Sequence, residues 1–339
     1  MKTFRTAVIG CGGISRNHIN ALMNNPLTEI VAVCDIDPEK AAKASEKTGA
    51  RPYTDYCEMI EKEELDSVHI CLPHYLHAKA AIYAMEHGLW VLSEKPMDAF
   101  YPAAKEMVRV SEETGMRLGI IFQNRFNPGS VLARKTIQSG EAGRVLSLNA
   151  TVCWHRDEKY YSHRWRADYA TAGGGVLINQ AIHTLDLIRW LADSEVKSVR
   201  ASAFHHGETT AEVEDTAEGL ICFESGAKGL FWFTINDAVD RKVTVSVKCE
   251  NCDIDIVKDA AKITFKDGRV IESQADNRPS VSLKSCYGNS HDIQIDEFYS
   301  DPDGELVREG VRQALKTQKL LADIYESAAK TNPLIPNMR

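Results

Sequence analysis

Lys95, in the run Glu94-Lys95-Pro96, and the pair Asn179 and His183 are the residues of this chain best suited to holding an oxygen and moving a proton. An ammonium in a turn stiffened by proline can hydrogen-bond a hydroxyl, and partial burial brings its pKa toward neutrality. Histidine is the side chain that most readily exchanges a proton near neutral pH. His183 follows Asn179 by four residues, on one face of a helix opened by Gly173-Gly174-Gly175, where another chain or a ligand can approach closely. Asp186 lies three residues on and could orient the imidazole. A third group is aromatic and basic: Trp154-His155-Arg156, Tyr160-Tyr161 and His163-Arg164-Trp165-Arg166. Apolar ring faces beside Arg and His donors suit a sugar. The plain alternatives are a surface lysine, a packed core histidine and aromatic–Arg stacking within a loop.

The elements that would position these groups begin at the N-terminus. Phe4–Ile9 reads as a buried strand, Gly10-Cys11-Gly12-Gly13-Ile14-Ser15 as the turn after it, and a helix follows with Ile14, Ile19, Leu22 and Met23 at helical spacing. Glu29–Asp35 forms a second strand that ends on an acid. Strand, glycine turn, helix and strand closing on Asp describe a dinucleotide-binding βαβ unit, with Gly10 for the tight turn and Gly12 for close approach to a pyrophosphate. Ser15 stands in place of the third glycine. Asp35 suits the adenosine ribose hydroxyls and would repel a 2′-phosphate, and no Lys or Arg follows until Lys40, which favours NAD over NADP. Asp37-Pro38 reads as the cap and first turn of the next helix, leaving Asp35 for the ribose.

Helix and strand keep alternating. Pro38–Thr48, Asp55–Lys62, Tyr75–His87 and Phe100–Thr114 read as helices; Ser67–Pro73 as the third strand, then Trp90–Ser93 and Arg117–Phe122. Such βα units build a doubly wound parallel sheet that binds ligands at the carboxyl ends of its strands. Those ends carry Gly10–Gly13, Asp35, Pro73-His74, Glu94-Lys95-Pro96 and Gln123-Asn124-Arg125. Beyond residue 123 the pattern changes. Asn127–Ser139 is a helix, Val145–Arg156 a long strand, Asp157–Ala172 a loop and Val176–Ala192 one amphipathic helix. Strands follow at Val196–His206, Asp215–Glu224, Ala227–Asn236, Lys242–Cys249, Lys262–Phe265 and Arg269–Ser273, and Asp303–Lys330 closes the chain as a long helix. Short turns between the strands imply a large, open, mostly antiparallel sheet. One face packs on helices; no helix is left for the other, which is expected to pair subunits as a homodimer or homotetramer.

At 339 residues the chain exceeds one ordinary core, and two domains are expected, 1–123 and 124–339. A net charge of −8 without any basic run argues against a nucleic-acid surface. No apolar stretch has membrane-spanning length and the N-terminus lacks a signal-peptide core. Nine cysteines scattered singly point to the cytoplasm. Cys249 and Cys252 form the one CxxC, with no second pair to complete a metal site, so no metal is expected.

Gly10–Ser15, Cys71–His77 ("CLPHYLH"), Glu94-Lys95-Pro96, Phe122–Pro128 ("FQNRFNP") and Gly173–Asp186 ("GGGVLINQAIHTLD") together resemble the glucose–fructose oxidoreductase / inositol dehydrogenase / MocA family over about residues 4 to 192. The resemblance implies a Rossmann domain plus an α/β domain with an open sheet, and NAD(P)-dependent oxidation or reduction of a sugar, cyclitol or related small molecule. It implies catalytic roles for Lys95 and His183, with Asn179 beside them where many members carry Asp. It implies cofactor contacts at Gly10, Gly12, Gly13, Ile14, Asp35, Pro73, His74, His77, Glu94, Lys95 and Asn124. Arg125, Trp154, Trp165, Arg166, Asn179 and His183 are the expected substrate contacts, with the loop Asp157–Ala172 and the segment Asp276–His291 shaping specificity. Two other readings of the same residues are an NAD-recycling glycosidase or lyase acting through a transient keto-sugar, and a non-catalytic sensor of NAD or sugar.

Overall fold

The computed structural model of the chain describes residues 3–207, 209–274 and 290–336. Of the expected specificity segment 276–291, all but Ser290 and His291 lies outside the described residues.

Six strands form the first sheet: β1 (Phe4–Ile9), β2 (Thr28–Cys34), β3 (Arg51–Tyr53), β4 (Ser67–Ile70), β5 (Trp90–Ser93) and β6 (Leu118–Ile120). Their order is β3-β2-β1-β4-β5-β6 and every pairing is parallel. The helices between them are α1 (Ser15–Asn24), α2 (Pro38–Thr48), α3 (Tyr56–Lys62), α4 (His77–Glu86) and α5 (Tyr101–Thr114). Asp37 caps α2 by accepting from Glu39 N, with Pro38 in the first turn and Gly49 in a left-handed conformation closing the helix. β3 was not expected, so Ser67–Pro73 supplies the fourth strand rather than the third. Three residues including Pro52 give almost no periodic signal, and proline is tolerated there because the strand lies at the sheet edge. The apolar stripe of α1 also differs from the expectation. Ile14 and Met23 are 38% and 53% exposed, and the buried face is Ser15, His18, Ile19 and Leu22.

The chain continues with α6 (Pro128–Gln138), β7 (Val145–Cys153), α7 (Tyr169–Ala172), α8 (Val176–Asn179) and α9 (Ile182–Leu191). Strands β8 (Val196–Phe204), β9 (Thr216–Phe223), β10 (Lys228–Thr234), β11 (Thr244–Cys249), β12 (Cys252–Val257), β13 (Ala260–Phe265) and β14 (Val270–Glu272) follow, then α10 (His291–Ser300) and α11 (Glu305–Ala329). The eight-stranded sheet runs β14-β13-β12-β11-β7-β10-β9-β8, antiparallel apart from the parallel β7–β10 pair. The sequence reading missed β12. It leaves Cys249 and Cys252 as the two buried flanks of a tight hairpin, and no group of three metal-ligating side chains occurs among the described residues.

The expected single helix over Val176–Ala192 is instead two. Ala181 N donates to Val176 O at 2.8 Å, a wide turn that separates α8 from α9. The segment is not amphipathic either, since both helices are buried on nearly all sides.

α10, also not expected, returns to the first sheet. Its Ile295, Phe298 and Tyr299 pack with Val8, Ile19, Leu22, Leu92 and Ile121. On the far face of the large sheet Leu230 and Trp232 are 53% and 41% exposed, with half-buried Leu220 across the ladder from Leu230. No described helix is long and apolar enough to cross a membrane.

Candidate active site

β1 runs into Gly10 at φ +94°, where a Cβ would lie 2.4 Å from Cys71 O, so only glycine fits. A Cβ added at Gly12 or Gly13 would meet nothing within 4 Å, so both glycines border open space in front of α1. That helix has no side-chain cap and no acid in its first turn, which leaves its N–H groups to an anion. Ser15 Oγ donates to Gly12 O at 2.7 Å and so ties the turn instead of wedging it open. Asp35 accepts from Cys11 N at 2.8 Å and from Asp37 N at 2.9 Å, which fixes the carboxylate at the end of β2 with acceptor capacity left over. Lys40 is ion-paired with Asp37. At the end of β6, Gln123 Oε1 and Asn124 Oδ1 are buried with no donor among the described residues. An open glycine cradle, an anchored acid and orphaned amide oxygens fit a dinucleotide laid across the strand ends, and the acid fits NAD better than NADP.

Lys95 follows β5 and reaches across to the second half of the chain, where its Nζ donates to Asn179 O at 3.0 Å. Asn179 Nδ2 donates to Gly174 O at 3.2 Å, a bond that the more usual carboxylate could not make. The glycines before α8 are required by protein rather than by a ligand. A Cβ at Gly174 would stand 1.8 Å from Tyr325 Oη and one at Gly175 1.8 Å from Glu214 O. Glu214, which the sequence reading missed, accepts from Gly175 N (2.8 Å), Leu177 N (3.1 Å), Tyr325 Oη (2.8 Å) and Tyr169 Oη (3.2 Å), clamping the start of α8.

His183, on α9, is buried with its ring edge-on to Phe122 at 5.7 Å. Burial holds its pKa well below the usual 6.5 and the Lys95 charge adds to this, against the opposing pull of Glu94 and Asp186. It is therefore a neutral imidazole able to accept a proton. Asp186 does not orient it. Arg125 grips that carboxylate from Nε (2.7 Å) and Nη2 (2.6 Å), with Thr317 on the same oxygen as Nη2. Arg125, an expected substrate contact, is thereby half of a buried ion pair.

The side chain of Glu94, an expected cofactor contact, turns into the protein. Its Oε1 lies 3.1 Å from His18 Nε2 and 3.3 Å from His291 Nε2. Burial alone would raise its pKa, but these two hydrogen bonds reverse that and hold it well below the usual range. An ionised carboxylate only accepts, so both imidazoles donate. His18 Nδ1 faces His69 Nδ1 at 2.8 Å, and His69 Nε2 lies 2.8 Å from Tyr299 Oη. Ser67 and Thr6 bond the same phenol at 2.9 and 3.2 Å. One anion thus joins α1, β4, α10 and the Lys95 turn.

The two nitrogens of His77 face Pro96 O and Leu72 O, each at 2.7 Å, so its ring braces two loops. Trp154 is 1% exposed and donates to Arg241 O, so it is core. His74, by contrast, lies buried between the halves, with Nδ1 2.7 Å from Ala172 O and its ring 4.9 Å from that of Trp165. Trp165 and Arg166 stay half-buried beside it.

Residues 4–122 match the family model described as oxidoreductase family, NAD-binding Rossmann fold, and residues 131–255 that of the GFO/IDH/MocA C-terminal domain. The rhizopine catabolism protein MocA of Rhizobium meliloti is 30% identical over 236 residues, covering 68% of this chain and 71% of that protein. Inositol 2-dehydrogenase of Salmonella typhimurium is 23% identical over 308 residues, 88% of this chain and 85% of its own length. Among solved structures, the WlbA dehydrogenase of Bordetella pertussis in complex with NADH and UDP-GlcNAcA has a TM-score of 0.81 and 29% identity, over 97% of this chain and 98% of that one.

The buried imidazoles make stability depend on pH. Burial depresses the pKa values of His69, His74 and His183 well below 6.5. As pH falls through about 6.5 the unfolded chain takes up protons that the folded chain refuses, so stability falls by up to about 1.4 kcal/mol per pH unit for each. Glu214 and Asp98, raised by burial, act in the opposite sense, since their folded forms keep a proton to higher pH. The histidines outnumber them, so the urea midpoint should drop between pH 7 and pH 5. A midpoint that holds or rises over that interval would contradict neutral buried imidazoles.

Proposed function

The chain belongs to the GFO/IDH/MocA oxidoreductase family, and from that premise we propose that it oxidises a secondary alcohol of a sugar, cyclitol or sugar derivative in the cleft between its two sheets. NAD, when bound at the glycine turn, supplies the acceptor for the hydride. Lys95 holds the reacting oxygen and offsets the negative charge that develops there. A ring nitrogen of His183 takes the hydroxyl proton, and the buried Glu94 anion partly balances the two cations that result. Asn179 and His74 frame the same space, and Trp165 offers a ring face to the substrate. The division falls near residue 123, with the cofactor on the first sheet and the substrate against α8 and α9.

The observation that carries this reading is the bond from Lys95 Nζ to Asn179 O, which brings the ammonium to the segment that bears His183. The names of relatives support the substrate class: one is an inositol dehydrogenase, and the WlbA complex holds a sugar nucleotide. NADH absorbance with NAD and a panel of sugars, cyclitols and their derivatives tests it. Lys95→Met and His183→Asn are each expected to cut turnover at least about 100-fold while NAD binding persists. Either variant staying within tenfold of the parent would remove that residue from the reaction.

We further propose that the exposed face carrying Leu220, Leu230 and Trp232 pairs with a second copy of the chain, as a dimer or tetramer. Light scattering after gel filtration should give a multiple of the 37.7 kDa chain mass, and Leu230→Lys with Trp232→Lys should lower it. A monomeric parent at micromolar concentration, or an unchanged mass in the double variant, would overturn this.

A further inference from the structure

Arg166 carries a charge that no acidic group of the described protein neutralises. Its guanidinium sits between two rings, 5.0 Å from the Tyr160 centroid and 5.0 Å from the Trp165 centroid. Among the described residues no carboxylate or carbonyl accepts from it. The neighbouring arginines are treated differently. Arg125 is bidentate on Asp186, and Arg156, stacked in the same way over Trp154 and Tyr160, pairs with Asp240 at 2.9 Å. Five N–H donors held in a plane by aromatic faces, in a chain of net charge −8, form a preset receptor with its partner missing.

Its surroundings place that receptor at the reaction cleft. The Trp165 ring meets His74 edge-on at 4.9 Å, and the charges of Arg166 and Lys95 both disfavour a proton on the His74 imidazole. On the other side of Arg166 lies the Tyr160 ring, whose hydroxyl is influenced by the side chain of Gln180, the residue after Asn179. Gln180 is 3% exposed, yet its Oε1 has no donor among the described residues. A buried amide oxygen without a donor calls for a ligand N–H or O–H. Trp165 thus links the Arg166 guanidinium to His74, and Tyr160 links it to Gln180, next to the Asn179 that holds Lys95.

Resting on the oxidoreductase reading above, we propose that the substrate is an anionic sugar derivative, a sugar acid or sugar phosphate. Its carboxylate or phosphate binds the Arg166 fork, one hydroxyl donates to Gln180 Oε1, and the carbon to be oxidised lies at Lys95 and His183. Planar bidentate pairing of guanidinium with carboxylate or phosphate is the geometry that Arg satisfies and Lys does not.

Calorimetric titration of the NADH-loaded protein with matched pairs tests this: glucuronate against glucose and gluconate against sorbitol for the carboxylate, glucose 6-phosphate against glucose for the phosphate. At least one anionic member should bind about 10 to 100 times more tightly than its neutral partner. Arg166→Gln should abolish that difference while NADH affinity persists, and Arg166→Lys should restore only part of it. Equal or tighter binding of the neutral members, no binding of any anionic one, or a variant that loses NADH affinity instead would overturn the proposal. Turnover of the same pairs separates the two readings. An acid that binds through Arg166 without being oxidised sinks the oxidoreductase reading alone, whereas preferential oxidation of the neutral partner sinks the anionic-substrate proposal alone.

Discussion

A lysine placed to grip a substrate oxygen must be kept charged, aimed and partly dry at once, and these demands conflict, because burial favours its neutral form. The chain resolves the conflict with a carbonyl in front and an anion behind. Asn179 O receives the ammonium from across the cleft, and the Glu94 carboxylate, immediately before Lys95, is held ionised by two histidines. Neither arrangement holds unless the surrounding elements are fixed. The Glu214 clamp on the first turn of α8 and the imidazole–phenol chain from His18 to Tyr299 supply that rigidity.

These supports are polar groups in a dry interior, which is a demanding way to build. A carboxylate, several imidazoles and a phenol are buried between α1, α10 and the first sheet, where apolar side chains of the same volume would fold without any need for exact partners. Partners are present throughout the network, so the desolvation cost is met by hydrogen bonds, and in exchange the site acquires a fixed internal charge. The same logic explains the second half of the chain. Asp186 is held by Arg125 and Thr317, which locks α9 in place, while burial keeps the pKa of His183, one turn earlier, well below its usual value.

The parts of this design that are local in sequence could be read from it. The strand, glycine turn, helix and Asp35 of the cofactor cradle lie within one short segment, and Glu94-Lys95-Pro96 and Gly173–His183 each carry their chemistry in a few consecutive residues. What could not be read is long-range pairing. His69 and Tyr299 meet across 230 positions, and Glu214 meets Gly175 across 39. Residue type alone does not reveal that Glu94 is held by two histidines or that Arg125 is paired with Asp186. Strand β3 is too short to show a period, and the Glu250-Asn251 turn before β12 lacks the glycine that marks most hairpins. The two-helix break at Gln180-Ala181 was hidden because an uninterrupted apolar run looks the same whether a helix is continuous or stepped.

The central claim is that one ammonium and one imidazole, drawn from opposite halves of the molecule, converge on a single oxygen. A crystal structure with NADH and a sugar that the protein oxidises tests this most directly. The account predicts one sugar oxygen within about 2.6–3.2 Å of both Lys95 Nζ and a ring nitrogen of His183. A bound sugar whose reacting oxygen touches neither group, or an imidazole turned away from the cleft once the ligands are in place, would contradict it.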